Sequence, residues 1–367
     1  MSKTRVGIIF GGKSAEHEIS LVSAKNIIDA IDKEKYDIEL IGIDKTGKWY
    51  HANQTGFLLN DHNPKLIKLN KEHASTISLC PESESAKLIS QMNEPAPTNI
   101  DVALPILHGP LGEDGCIQGL LKIMDIPFVG CDVLGSAVCM DKDIMKRLLF
   151  SDNLPSCDYH TSYSYNDLDD EIVFLEKNFS FPLFVKPANM GSSIGVSKAK
   201  NSSELKTALK KAFQYDEKVI IENEVIGREI EVAVLGDLNP KASIPGEIVP
   251  KGDFYSFEAK YIESDGADLV IPAKLNADEI ATVQNLAIKA FRTMNCSGMA
   301  RVDFFYTKEG DWFINELNTI PGFTQISQYP QLWKESGLAY SDLIDELIQL
   351  ALKRHARLGK LSSTNID

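Results

Sequence analysis

The sequence predicts an α/β chain of two or three domains that opens with a doubly wound parallel sheet, and three stretches carry that expectation. Val6 to Phe10 is a short apolar run closed by Gly11 and Gly12, the pattern of a buried parallel strand entering a tight turn. Phe181 to Lys186 and Lys218 to Glu222 are strand-like runs flanking a glycine-serine turn and a lysine-rich helix. Met299 to Tyr306 and Trp312 to Asn318 read as a hairpin closed by Lys308 to Asp311.

The elements follow in order. After Gly12, the residues Leu21, Ala24, Ile28 and Ile31 fall at helical spacing, and Ile38 to Ile43 supplies the next apolar run, completing a β-α-β unit. Residues from about 51 to 99 are polar with weak periodicity and read as insertions and irregular connections. Val102 to Leu107 restores a strand, which ends at His108 and Gly109. Ser136 to Phe150 carries helical spacing and stops at Asn153 to Pro155, where proline ends the element, so a domain boundary is expected near 130. Glu229 to Leu235 alternates with period two, Ala277 to Thr293 is helical, and the chain beyond about 356 reads as frayed. No internal repeat is visible.

Composition excludes several function classes. At 367 residues and 43% hydrophobic content the chain can bury more than one core. Its formal charge of −14 repels polyanions, which argues against nucleic acid or an anionic membrane as partner. Six cysteines (Cys80, Cys116, Cys131, Cys139, Cys157 and Cys296) lie at irregular intervals, so they read as reduced thiols. The apolar run after Arg5 is too short for a signal-peptide core or a membrane span, and a cytoplasmic location is expected.

Five segments carry chemistry. Lys186 stands at a strand end before a loop of small residues, Gly191 to Gly195, whose free amides suit phosphate oxygens. Arg301 and Asp303 on one strand, with Glu316 and Asn318 on the next, share a face because strand side chains alternate. Asp303, Glu316 and Asn318 offer oxygen ligands to magnesium, and Arg301 balances charge on a transferring phosphoryl group or a developing oxyanion. Val302, Phe304, Phe313, Ile314 and Leu317 are expected to face the core behind them. Ile320 to Ser327 holds a glycine turn whose amide can face an oxyanion. Gly11 to Glu18 sits at a strand-to-helix junction, where open α/β sheets bind ligands, and Glu16 there can pair with an ammonium. His108 lies on a strand-end loop with Gly109, Gly112 and Gly115. Each segment alone also reads as something ordinary: a Gly/Ser hairpin, an ion-pair ladder, or a helix cap formed by Ser14 and the early glutamates. The remaining histidines have no metal-ligand spacing, and the first turn lacks the dinucleotide-binding glycine pattern.

Taken together, in this order and over roughly residues 4 to 350, these segments resemble the D-alanine–D-alanine ligases of the ATP-grasp superfamily. The resemblance implies a three-domain ATP-grasp fold, with an N-terminal substrate domain at 1–130, a central domain at 131–221 and a C-terminal domain with metal and acceptor sites at 222–367. ATP would lie between the last two, with Lys142, Lys186 and Ser193 at the phosphates, Glu222 and Val225 at the adenine and Glu229 at the ribose. Asp303, Glu316 and Asn318 would hold two magnesium ions, for which manganese can substitute. Glu16 would take the ammonium of the first D-alanine, with His108 nearby, and Ser192 and Tyr261 would link to Glu16 across a closing loop at Lys251 to Gly266. Arg301 and the Gly322 amide would form the oxyanion site, and Lys260 and Ser327 would anchor the second D-alanine. The implied reaction makes D-alanyl-D-alanine through a D-alanyl phosphate, for peptidoglycan precursors, in a cytoplasmic homodimer. Tyrosine at 261 resembles the amine-using enzymes, while a D-alanine–D-lactate or another D-amino-acid ligase is the alternative. A regulatory protein that kept the fold without turnover is disfavoured by the intact set Arg301, Asp303, Glu316 and Asn318.

Overall fold

The computed structural model describes residues 3–52, 56–61, 63, 66–72, 74–79, 88–90, 100–250 and 267–362. The first unit contains β1 (Thr4–Gly11), α1 (His17–Ala30), β2 (Tyr36–Ile43), β3 (Trp49–Ala52), β4 (Leu58–Leu59), β5 (Lys68–Leu69), β6 (Ala74–Leu79), β7 (Leu88–Ser90), β8 (Val102–Pro105) and α2 (Cys116–Ile123). Its main sheet runs β7-β6-β3-β2-β1-β8, and β1 pairs in parallel with both β2 and β8. The turn after β1 demands glycine: Gly11 has φ +92, and a Cβ there would stand 2.1 Å from the Ile43 carbonyl oxygen.

The stretch from 51 to 99, expected to be irregular, instead extends this sheet. β3 pairs antiparallel with β2, β6 with β3 and β7 with β6, while β4 and β5 form a separate two-residue ribbon. Strands this short show too few residues for periodicity, and their placement comes from the neighbours they pair with.

Helices cover the sheet on both faces. Ile8 and Phe10 of β1 pack with Leu21 and Ile27 of α1, while Ile9, from the opposite face of the strand, packs with Ile117 and Leu121 of α2. Alternating positions of one strand therefore feed two cores.

The chain continues through α3 (Val133–Met140), α4 (Lys142–Ser151), β9 (Tyr159–Tyr163), α5 (Leu168–Asn178), β10 (Leu183–Pro187), β11 (Ser197–Ala199), α6 (Ser202–Ala212) and β12 (Lys218–Asn223). The helix expected over 136–150 is two helices broken at Asp141, whose extended backbone ends α3 and whose side chain accepts from the amides of Asp143 and Ile144 to start α4. β11-β10-β12-β9 is a four-stranded antiparallel sheet, and Leu183, Val185, Val219 and Ile221 bury it against Leu205 and Leu209 of α6 and Leu175 of α5.

The last part comprises β13 (Gly227–Gly236), β14 (Lys241–Ala242), β15 (Gly246–Pro250), β16 (Ala267–Val270), α7 (Ala277–Thr293), β17 (Gly298–Thr307), β18 (Trp312–Asn318), α8 (Gln328–Glu335) and α9 (Tyr340–Leu358). Its sheet order is β16-β15-β13-β17-β18, with β14 beside β13. Ile230, Val232 and Val234 face a core with Met145 and Leu149 of α4 and Phe291 of α7, whereas Ala233 and Leu235 face a core shared with β1, α1 and α9. α9 thus carries the chain end back onto the first sheet through Leu343, Ile344, Leu347 and Ile348. Phe313, expected in the core, is only half-buried. A bulge between Asp303 and Phe304 pairs Asp303 with Glu316 but Phe304 with Ile314, so Asn315 is the extra residue and the buried positions become Trp312, Ile314 and Leu317.

Arg354 of α9 fastens these parts together. It is 8% exposed, donates through Nη1 to the Gly130 carbonyl at 2.6 Å and to Ser297 Oγ, and through Nη2 to the Phe128 carbonyl at 2.7 Å. Its guanidinium also lies over the Phe128 ring, 4.8 Å from the centroid. Arg354→Met leaves those three oxygens without a donor, so an unfolding free energy lower by about 3 kcal/mol is expected. Thermal unfolding checks this, and an unchanged midpoint would show that water replaces the guanidinium.

Candidate active site

The polar residues of the last sheet lie on the face opposite its α7 core. Register places Glu231 beside Asp303 and Asp303 beside Glu316, a carboxylate row across β13, β17 and β18. Arg301 pairs with Asn318 one step along the same face. Arg301 Nε donates to Asp303 Oδ1 and Nη2 to Oδ2, both at 2.7 Å, and Nε also lies 3.1 Å from Glu231 Oε2. Burial works against the Arg301 charge, yet Asp303 and Glu231 outweigh it and hold the guanidinium pKa well above its ordinary value.

A lysine-rich edge faces this row. Lys142, the first residue of α4, donates to the Met190 carbonyl at 2.7 Å and stands 3.5 Å from Glu316 Oε2. Lys186, near the end of β10, reaches Glu222 Oε2 at 2.6 Å and Asn315 Oδ1 at 3.3 Å. Glu222 is buried on β12; burial raises its pKa, but Lys146 and Lys186 more than reverse that and bring it to about 2. Lys186 is half-buried, and Glu222 raises its pKa despite the cost of desolvation. The edge therefore places two cations where triphosphate oxygens are expected, with Glu316 beside one of them.

The third group comes from the first unit. Glu16 is 5% exposed; one oxygen accepts from Ser192 Oγ, and Oε2 is buried with no partner among the described residues. Ser192 and Ser193 hold left-handed backbone, φ 51 and 58, which turns the loop back toward Glu16. His108 Nδ1 lies 3.0 Å from the Ile320 carbonyl, an acceptor, so Nδ1 carries the proton and Nε2 accepts from Ser23 Oγ at 3.2 Å. Burial lowers the His108 pKa, which keeps the ring neutral. Burial, and then the Glu16 charge, push Glu113 well above the carboxylate range; its Oε2 accepts from the Gly109 amide at 2.7 Å.

The bond from His108 to Ile320 places the Gly322 turn next to Glu16's loop. Ser327 Oγ accepts from the Thr324 amide at 3.1 Å and lies 2.8 Å from Thr324 Oγ1. Glu229 lies on β13 two residues before Glu231, sharing its face, and Val225 is half-buried in the turn after β12. Lys260, Tyr261 and the closing stretch Lys251 to Gly266 lie outside the described residues.

Sequence reasoning passed over two residues here. Glu231, the second counter-ion of Arg301, was visible in the alternation from Glu229, and Lys146 was visible as the residue one helical turn after Lys142. Glu113, in the His108 loop, was given no part either.

Among the described residues, no group of three or more His, Cys, Asp or Glu is arranged to hold a metal ion. In this conformation both Asp303 oxygens face Arg301, and Glu316 faces Lys142. Yet Asn318 Oδ1 is buried without a hydrogen-bond partner beside two carboxylates, and such all-oxygen donors suit a hard divalent cation.

Comparison with known proteins fits this geometry. Residues 5–131 match the family model described as D-ala D-ala ligase N-terminus, and residues 148–349 match D-ala D-ala ligase C-terminus. A D-alanine--D-alanine ligase of Oceanobacillus iheyensis is 50% identical over 368 residues, covering 100% of both chains. The structure of the D-alanine-D-alanine ligase from Coxiella burnetii superposes with a TM-score of 0.86 at 38% identity, covering 98% of this chain and 97% of that one. The VanG D-Ala:D-Ser ligase from Enterococcus faecalis gives 0.84 at 33% identity, covering 95% and 100%. The fold is the ATP-grasp fold, whose ligases use ATP and a divalent metal. With both halves matched and full-length identity near one half, the chain belongs to the D-alanine–D-alanine ligase family.

Proposed function

We propose that this chain joins two D-alanines into D-alanyl-D-alanine for peptidoglycan precursors, converting ATP to ADP and phosphate. The observation that carries this reading is Glu16, a buried carboxylate with one oxygen held by Ser192 and the other without a partner among the described residues. An amino acid's ammonium supplies the missing donor, and burial, which lowers the His108 pKa, keeps a competing positive charge away from it.

A carboxylate is a poor electrophile, so its oxygen first attacks the γ-phosphorus of ATP and ADP leaves. Lys142 and Lys186 hold the phosphates, with Ser193 beside them; Glu222 and Val225 take the adenine and Glu229 the ribose. The amine of the second D-alanine then attacks the D-alanyl carbonyl carbon, loses a proton, and phosphate departs. Arg301 and the Gly322 amide stabilise the oxyanion of that step. Ser327 and Lys260 hold the acceptor's carboxylate, and Tyr261 joins Ser192 in closing the site against water. Asp303, Glu316 and Asn318 would hold two magnesium ions, for which manganese can substitute, and the metal would supply charge neutralisation at the phosphates. Domains at 1–130, 131–221 and 222–367 would meet around this site.

We place the chain in the cytoplasm as a homodimer that binds neither nucleic acid nor membrane. In support, no helix among the described residues is long and apolar enough to cross a membrane.

Phosphate release with ATP, magnesium and D-alanine, run beside L-alanine and beside D-alanine with D-serine or D-lactate, tests the reading, with products identified by mass. D-alanyl-D-alanine is expected; a mixed product as the main species would overturn the acceptor assignment. Glu16→Gln should raise the D-alanine concentration needed for half-maximal rate by about 10- to 100-fold, the worth of one hydrogen bond to a charge. Unchanged D-alanine saturation would remove Glu16 from the ammonium site.

A further inference from the structure

Lys146 is buried in α4 at 1% exposure, deep for a charged side chain. Its Nζ lies 2.8 Å from Glu222 Oε1, an ion pair rather than an aligned hydrogen bond, and donates to Ser156 Oγ at 2.9 Å. Ser156 Oγ in turn donates to the Ile314 carbonyl of β18 at 3.0 Å, and the ammonium stands 5.7 Å over the Tyr159 ring. Lys146 is thus held in the interior by Glu222 of β12, by Ser156 and by the Tyr159 ring of β9. Lys186 differs: it holds the other Glu222 oxygen but also reaches Asn315, next to Glu316. One buried carboxylate therefore has two ammonium partners, one fixed and one at the edge of the cleft.

We propose that Lys146 is the permanent counter-ion of Glu222, a positioning residue that lets Lys186 leave Glu222 for the nucleotide's phosphates without stranding a buried carboxylate. This rests on the reading above that Lys186 meets those phosphates. A buried charge that loses its last partner is costly, so with a single ammonium present Glu222 and the nucleotide would compete for it. With two, the exchange leaves Glu222 paired throughout. The pairing also explains why a buried lysine lies one turn after Lys142 on the same helix face.

The charged and titratable groups facing Glu222 are Lys146 from α4, Lys186 from β10, Tyr159 from β9 and Cys157 just before it. Removing Lys146 leaves Lys186 as the only cation among them. In Lys146→Met, Lys186 is pinned to Glu222 while that carboxylate is charged, so ATP affinity falls. The Glu222 pKa then rises from its present position near 2, because one of the two ammoniums that lower it is gone. Glu222→Gln removes that charge, releases Lys186 and recovers affinity.

The experiment is calorimetric titration of full-length protein with ADP and with a non-hydrolysable ATP analogue. It compares wild type, Lys146→Met, Glu222→Gln and the double variant, with thermal unfolding alongside. Lys146→Met should bind about 100-fold more weakly than wild type, the range set by unpairing a buried charge, and adding Glu222→Gln should regain much of that. The double variant has no charge to balance and should bind within about threefold of Glu222→Gln alone, the scatter expected when one residue acts only through another. Unchanged affinity in Lys146→Met, or a double variant far weaker than Glu222→Gln, overturns the proposal. If Lys146→Met does not fold, the double variant against Glu222→Gln decides alone. Wild type failing to bind either nucleotide would instead sink the ligase reading.

Discussion

Arg301→Lys is expected to slow phosphate release by about 10²- to 10³-fold, the loss seen when one preorganised oxyanion donor is removed. Lysine keeps the charge but cannot reproduce the two parallel bonds to Asp303 together with the 3.1 Å approach to Glu231. The ammonium would settle between the two carboxylates and no longer point along the cleft. Arg301→Ala goes further, because Glu231 and Asp303 then lie side by side in a buried row with no cation, and stability should fall by about 3–5 kcal/mol as well. Steady-state phosphate release and thermal unfolding, measured on both variants, separate the effects. Turnover retained in a folded Arg301→Ala protein would contradict the assigned role.

Glu316→Gln should lower turnover by about 10³-fold at moderate magnesium, since a divalent ion contributes several kcal/mol of charge stabilisation and loses a carboxylate ligand. Raising magnesium should recover part of the rate, which a structural defect would not allow. Stability should change little, because Glu316 is partly exposed and its partner Lys142 keeps its bond to the Met190 carbonyl. A magnesium dependence identical to wild type would place the metal elsewhere.

Much of the site was legible because its chemistry is local. A strand ending in two glycines, a lysine before a small-residue loop, and a hairpin with polar residues at alternate positions each announce themselves within about ten residues of chain. That Arg301, Asp303, Glu316 and Asn318 share one face followed from strand alternation, while their register across the hairpin came from the structure. Phe313 was misplaced because a single bulged residue, Asn315, reverses the parity of everything before it on β18. The strands within 51–99 were missed since two- to six-residue segments hold their place by pairing, not by their own pattern.

The sequence by itself determined the α/β class, the β-α-β opening, the chemistry-bearing residues and the ligase family they resemble, since each depends on residue type and short-range spacing. Only the tertiary structure decided which charges share partners. Glu231 joins Asp303 on Arg301 across neighbouring strands, Lys146 joins Lys186 on Glu222 from a helix and a strand, and Glu16 meets Ser192 from 176 positions away. Ion pairing in a low-dielectric interior depends on distance and burial, and neither is set until the chain has closed on itself.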